Sequence, residues 1–262
     1  MSANAPTILA LDFDGVVCDG LKEYFQTTVK TYRLIWENES KQDLEEYAES
    51  FYRLRPVIEI GWEMPILLRS LILGFPEARI SQSWSEVAAE IIASENLNGA
   101  EIGAKLDKVR DNWIKTDLDS WLSLHRFYPG VVKKVQNVIA NNTTQLFIIT
   151  TKEGRFAKKL LQQAGIELSP ESIIGKEAKS PKHQTLRQII AKSQTNNLQI
   201  WFVEDRLKTL QLVQKQEDLS EISLYLADWG YNTEKDRQTA QENPSISLLS
   251  LQQFAQDFSA WN

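Results

Sequence analysis

Asp12 and Asp14 stand two residues apart, directly after the apolar run Thr7-Ile8-Leu9-Ala10-Leu11, and Gly15 follows them. Further along, Thr150 ends the run Phe147-Ile148-Ile149, Glu204-Asp205 ends Ile200-Trp201-Phe202-Val203, and Lys179 and Lys182 flank Pro181. Carboxylates gathered on one rim repel each other unless a divalent cation sits between them, and hard oxygen ligands favour magnesium. Any one of these acids alone reads as a solvated loop residue or a helix cap. The ordered set argues for one shared site.

Such a site needs elements that bring distant positions together. The first run is short and nearly continuously apolar, as a strand buried on both faces of a parallel sheet is. Gln145 to Thr150, Ser172-Ile173-Ile174, Ile200 to Val203, Leu224-Tyr225-Leu226 and Ile246-Ser247-Leu248 read as further strands. They alternate with helical segments, one through Phe156, Leu160 and Leu161 and one opening near Pro181, a residue suited to a first helical turn. This alternation predicts an α/β fold, a parallel sheet with helices on both faces, in which ligands collect outside the carboxyl ends of the strands.

From Gly20 to Arg126 the character changes. Phe25, Val29, Tyr32 and Trp36 recur at helical intervals, and the stretches Trp84 to Ile92 and Ile102 to Trp113 carry similar stripes. Tyr128-Pro129-Gly130 then punctuates the chain. The expected organisation is a discontinuous α/β core, residues 1–17 and 128–262, with an all-helical domain inserted at 18–127. No internal repeat or low-complexity tract interrupts it.

Composition narrows the classes of partner. Lys and Arg number 29 against 35 Asp and Glu, a formal charge of −6 that repels a polyphosphate backbone, so nucleic acid is not expected. The single cysteine, Cys18, cannot form an internal disulfide, and the opening residues lack the basic and apolar regions of a secretory leader, which points to a cytoplasmic address. The most apolar helical stretch, Pro65 to Phe75, is interrupted by Arg69 and falls far short of the roughly 20 residues that span a bilayer.

Asp12-Phe13-Asp14-Gly15-Val16-Val17 after a strand, Thr150 at the end of another, a lysine near Pro181 and Glu204-Asp205 at the end of a third together resemble the haloacid dehalogenase superfamily of hydrolases. Phe127-Tyr128-Pro129-Gly130-Val131 and Trp229-Gly230-Tyr231 look like its phosphoglycolate phosphatase-like branch. The resemblance implies a Rossmann-like core with a helical cap, hinged near Cys18 to Gly20 and Arg126 to Gly130. It also implies a Mg2+-dependent phosphatase for small phosphorylated metabolites such as phosphoglycolate or a sugar phosphate. Asp12 would be the nucleophile that forms an aspartyl-phosphate and Asp14 the acid/base partner. Thr150 would donate to a phosphoryl oxygen, and Lys179 or Lys182 would balance charge, with Lys179 favoured because it precedes the helix-opening proline. The metal ligands would be Asp12, Asp14 through its backbone carbonyl, Asp205 and Glu204. Gly15 and Thr151, with Arg55 and Glu59 of the inserted block, are the candidate substrate contacts. Thr209 stands where the fourth motif often carries another acid, which leaves the role of Glu204 open. A phosphomutase of the same superfamily, or a catalytically weakened binding protein, are the alternatives, and no motif specifies an oligomeric state.

Overall fold

The internal contacts of the chain divide it into two units. One unit comprises Met1–Asp19 and Arg126–Asn262, the other Gly20–His125. The computed structural model describes residues 5–37, 43–193 and 197–261; residues 1–4, where a leader is sought above, lie outside the described residues.

The Gly20–His125 unit consists of α1 (Leu21–Ile35), α2 (Ala48–Leu54), α3 (Glu63–Ile72), α4 (Glu77–Gln82), α5 (Trp84–Ser94), α6 (Gly99–Thr116) and α7 (Leu118–Leu122). Helix α1 buries Phe25, Val29 and Tyr32, spaced four and three residues apart on one face, and packs against α3 and α6. Helix α6 is started by Asn98, whose side chain accepts the backbone N–H groups of Ala100 and Glu101. A carboxylate holds the middle of this unit. Glu23 on α1 is fully buried and accepts hydrogen bonds from Thr27 Oγ1 at 2.6 Å, Arg110 Nε at 2.8 Å and Trp121 Nε1 at 3.0 Å. One acid thereby ties α1 to both α6 and α7.

The other unit carries the strands. In chain order these are β1 (Ile8–Leu11), β2 (Cys18–Asp19), β3 (Arg126–Phe127), β4 (Gln145–Ile149), β5 (Ile173–Ile174), β6 (Ile200–Glu204), β7 (Ser223–Ala227) and β8 (Ile246–Leu249). The helices are α8 (Val131–Asn141), α9 (Gly154–Gln163), α10 (Lys182–Lys192), α11 (Leu207–Gln214), α12 (Glu234–Gln241) and α13 (Leu251–Phe254). Six strands form one parallel sheet in the order β5-β4-β1-β6-β7-β8. The fold class is the expected one.

Alternation along each strand assigns the two faces. Ile8 and Ala10, Phe147 and Ile149, Ile200 and Phe202, and Leu224 and Leu226 join one core cluster with Leu186 and Ile189 of α10, Leu207, Leu210 and Val213 of α11, and Ala240 of α12. On the opposite face the rings of Trp201 and Tyr225 lie 5.2 Å apart, and each lies 5.4 Å from Trp261. Both sets are buried, which is why these strands read as unbroken apolar runs.

Register fixes the site. Leu11 pairs with Ile148 on one side and Val203 on the other, so Asp12 emerges level with Ile149 and Glu204. β1 is central, and the chain builds leftward through β4 and β5 before crossing to β6. This reversal opens a crevice at the carboxyl ends of the strands flanking β1. The short strands β2 and β3 pair antiparallel with each other, Cys18 with Phe127 and Asp19 with Arg126, at the points where the chain leaves this unit and returns.

The Glu23 network yields a stability prediction. Glu23→Ala leaves the mostly buried Arg110 guanidinium without its carboxylate and strands the Thr27 and Trp121 donors. Urea denaturation should show a loss of about 3 kcal/mol or more, and a variant as stable as the parent protein would show that the network does not hold the helices together.

Candidate active site

The turn after β1 is built to expose two acids. Asp12 N–H donates to Val203 O at 2.9 Å, which keeps Asp12 in strand register. The chain then turns back on itself, with Val17 N–H and Cys18 N–H both donating to Phe13 O and Gly15 N–H donating to Cys18 O. Gly15 has φ 86°, and a Cβ there would run into Asp205 Oδ2, so this position needs glycine for both conformation and space. Cys18, in the same turn, is fully buried, and burial pushes its thiol well above the usual range. It is a packing residue, not an exposed nucleophile.

The acids of β1 and β6 meet at one ammonium. Lys182 Nζ lies 2.7 Å from Asp12 Oδ1 and donates to Glu204 Oε2 at 2.6 Å. Glu204 Oε1 accepts the Arg206 N–H at 3.1 Å, so both of its oxygens are engaged. Asp205 Oδ2 accepts the Tyr231 N–H at 2.8 Å. Asp12 and Asp205 each keep an oxygen outside these bonds. Carboxylate oxygens of Asp12, Glu204 and Asp205 lie within 4.8 Å of one another, and all three residues are buried. Asp14 forms a separate pair, its Oδ1 3.3 Å from Lys152 Nζ in contact that does not meet hydrogen-bond geometry.

Of the two lysines flanking Pro181, the structure brings Lys182 to Asp12. Lys179 is exposed, with φ 49°, at the end of a short turn, and is outside the cluster. The reason lies in where the helix starts. Pro181 is the residue before α10 and Lys182 its first residue, and helical side chains lean toward the N-terminus, here toward the strand ends. Thr150 is buried with its N–H donating to Ile174 O, and its Oγ1 accepts the Lys152 N–H at 3.0 Å. Thr151 is exposed beside it. Arg55 and Glu59 belong to the helical unit, Arg55 with its guanidinium 4.9 Å from the Tyr24 ring and NH1 donating to Ile58 O, and Glu59 with its N–H donating to Glu63 Oε2. Thr209 lies on α11, the helix after Asp205. Two contributors escape sequence reading, Lys152 as partner of Asp14 and Tyr231 as donor to Asp205. Lys152 follows Thr150-Thr151 and Tyr231 ends the Trp229-Gly230-Tyr231 segment, so the sequence marks both positions without revealing these contacts.

The charges do not balance. Against three buried carboxylates there is, among the described residues, one contacting cation, Lys182, a deficit of two charges that one divalent cation closes. Burial, with the neighbouring acids adding to it, pushes Asp12 up to about 7, Glu204 to about 7 and Asp205 to about 6, while Lys182 opposes the rise for all three and is itself held above the ordinary lysine range by Asp12 and Glu204. An all-oxygen donor set with that deficit fits Mg2+. In chelator, the folded cluster holds protons that the unfolded chain has released between about pH 4 and pH 7. Its contribution to stability is therefore fully present at low pH and is lost as pH rises through the folded values. Asp205→Asn removes one of these acids, so its Tm, measured in EDTA, should gain on that of the parent protein from pH 5 to pH 8. A constant difference across that range would contradict the charge deficit.

Residues 77–216, more than half of the chain, match the family model described as haloacid dehalogenase-like hydrolase. The matched stretch includes Thr150, Lys182, Glu204 and Asp205 and leaves Asp12 and Asp14 outside it. No curated protein matches the sequence. Among solved structures, the fold is similar to that of a candidate phosphatase from Clostridium difficile, 13% identical with a TM-score of 0.60 over 94% of this chain and 95% of that chain. A predicted phosphatase from Clostridium acetobutylicum is similar at 13% identity and a TM-score of 0.57, covering 95% of this chain and 96% of that chain. A predicted phosphoglycolate phosphatase from Haemophilus somnus is similar at 14% identity and a TM-score of 0.56, covering 86% and 87%. At such identities the likeness is one of fold, and it agrees with the family match. The chain belongs to the haloacid dehalogenase-like hydrolase family.

Proposed function

We propose that the protein is a Mg2+-dependent phosphatase that hydrolyses small phosphomonoesters through a covalent intermediate on Asp12. The observation that carries this reading is the cluster at the β1 and β6 ends, where three buried carboxylates, two of them on one lysine, lack two positive charges. A phosphomonoester dianion needs the opposite balance, and a cation held by Asp12, Asp205 and the Asp14 backbone carbonyl would supply it by neutralising charge on the phosphoryl oxygens.

The roles of the chain's own groups follow from position. Lys182 fixes Asp12 with one oxygen engaged and the other available to attack phosphorus. As the Asp12 oxygen bonds to phosphorus, the bond to the leaving oxygen breaks, and Asp14 gives that oxygen its proton. Asp14 then takes a proton from water as the water attacks the aspartyl-phosphate, which releases inorganic phosphate and restores Asp12. Asp14 Oδ1 is buried and accepts no hydrogen bond, as suits a group that must exchange a proton with a ligand. Thr150 is assigned to donate its hydroxyl to a phosphoryl oxygen. Glu204, with both oxygens occupied by Lys182 and the Arg206 N–H, is assigned to hold the lysine and not to act as a first ligand of the cation.

Substrate choice is assigned to the Gly20–His125 unit acting as a cap, with Arg55 and Glu59 as contacts. The phosphoglycolate phosphatase name carried by the Haemophilus somnus protein makes phosphoglycolate a first compound to try, with sugar phosphates next. Purified protein with Mg2+ and p-nitrophenyl phosphate should release phosphate. Asp12→Asn should lower turnover by more than about 10³-fold, and Asp14→Asn by about 10²- to 10⁴-fold, with circular dichroism unchanged in both. Full activity in Asp12→Asn would remove the nucleophile from this reading.

A further inference from the structure

The loop after β7 is bonded to Val16 in the turn after β1, to Asp19 of β2 and to Asp205 after β6, and one residue of it faces two ways. Tyr231 N–H donates to Asp205 Oδ2 at 2.8 Å, and the hydroxyl of the same residue donates to Asp19 Oδ1 at 2.9 Å. Asp19 is the last residue of β2, the strand from which the chain runs on into the helical unit. Around this residue the loop is locked. Trp229 Nε1 donates to Val16 O at 3.1 Å, Asn232 Nδ2 donates to Asp205 O at 3.0 Å and to Ala227 O at 2.7 Å, and Arg206 NH1 donates to Tyr231 O at 2.8 Å. Gly230 presses against the same acid, since a Cβ there would run into Asp205 Cβ and Gly15 O.

A loop of this kind is more than a connection. Tyr231 and Asn232 are buried, and their bonds reach residues 26, 27 and 212 positions away. The phenol bond is not needed to satisfy the backbone of either element. What it adds is a rigid distance between the Asp205 carboxylate and β2, with the Tyr231 main chain at one end and its side chain at the other. We infer that Tyr231 is a positioning residue that couples the orientation of the Asp205 carboxylate to the placement of the β2 strand through the Tyr231–Asp19 hydrogen bond. The inference rests on the reading of Asp205 as a cation ligand. Outer partners of a ligand fix its orientation, and losing one costs about 10- to 100-fold in metal affinity.

The coupling makes three variants behave as one system. Tyr231→Phe keeps the ring and the backbone donor and removes the phenol hydroxyl that donates to Asp19. Asp19→Ala removes the same bond from the other side, and Asp19→Asn keeps an acceptor oxygen. Mg2+ binding measured by isothermal titration calorimetry should weaken about tenfold in Tyr231→Phe and in Asp19→Ala, with no further loss in the double variant, while Asp19→Asn stays within about twofold of the parent. A merely structural role would lower Tm in these variants and leave the Mg2+ isotherm where it was, and that result overturns the inference. So does a loss in Tyr231→Phe that Asp19→Ala does not share. Absence of any Mg2+ isotherm in the parent protein would instead bring down the cation reading of Asp205, and this inference with it.

Discussion

Three carboxylates lie within reach of one another at the end of a parallel sheet, two of them joined by a single ammonium, and the surrounding turns are arranged around that unfavourable gathering. Removing acids from water costs several kcal/mol each unless they are paired. Lys182 meets two of them and still leaves the cluster two positive charges short. The short fall is chemically useful, because an incompletely neutralised cradle of hard oxygens takes a divalent cation, and a divalent cation in turn accepts a phosphoryl group. The fold tolerates the strain because the surrounding positions cannot relax. Asp12 is pinned in register by Val203, Glu204 by Lys182 and the Arg206 N–H, and Asp205 by the Tyr231 N–H.

The two units solve the problem of a buried acid in different ways. Glu23 in the helical unit is saturated by Arg110, Thr27 and Trp121, so its charge is balanced and its role is to join helices. The sheet unit leaves its cluster under-compensated, so its charge is available for a ligand. The contrast separates a structural carboxylate from a functional one on local electrostatics alone, without reference to exposure, since Glu23, Glu204 and Asp205 are all at the fully buried end of the scale.

Strand identity was legible because both faces of this sheet are covered, which writes each central strand as an apolar run and makes the polar residue that ends it conspicuous. Asp12, Thr150 and Glu204-Asp205 stand out on that ground. What pattern reading misses is what geometry decides over a few ångströms. Lys179 and Lys182 look equivalent beside Pro181, and only the start of α10 at Lys182 turns that side chain toward Asp12. Lys152 reads as an ordinary surface charge until the turn after β1 sets Asp14 3.3 Å from it. β2 and β3 are two residues each, too short to carry any period, so their pairing could not be read at all. Tyr231 is invisible as a bridge because its partners, Asp205 and Asp19, lie 26 and 212 positions before it in the chain.

The central position of β1 has a consequence for synthesis. This strand leaves the ribosome before the others, yet its two neighbours in the sheet, β4 and β6, begin at Gln145 and Ile200. Until the first of these has emerged the apolar segment has both edges unpaired, and one edge stays open until the second follows, while the intervening helical segment is already complete. The acids of β1 and β6 therefore cannot meet before Ile200–Glu204 has emerged, and until then the open edge of β1 is exposed to self-association.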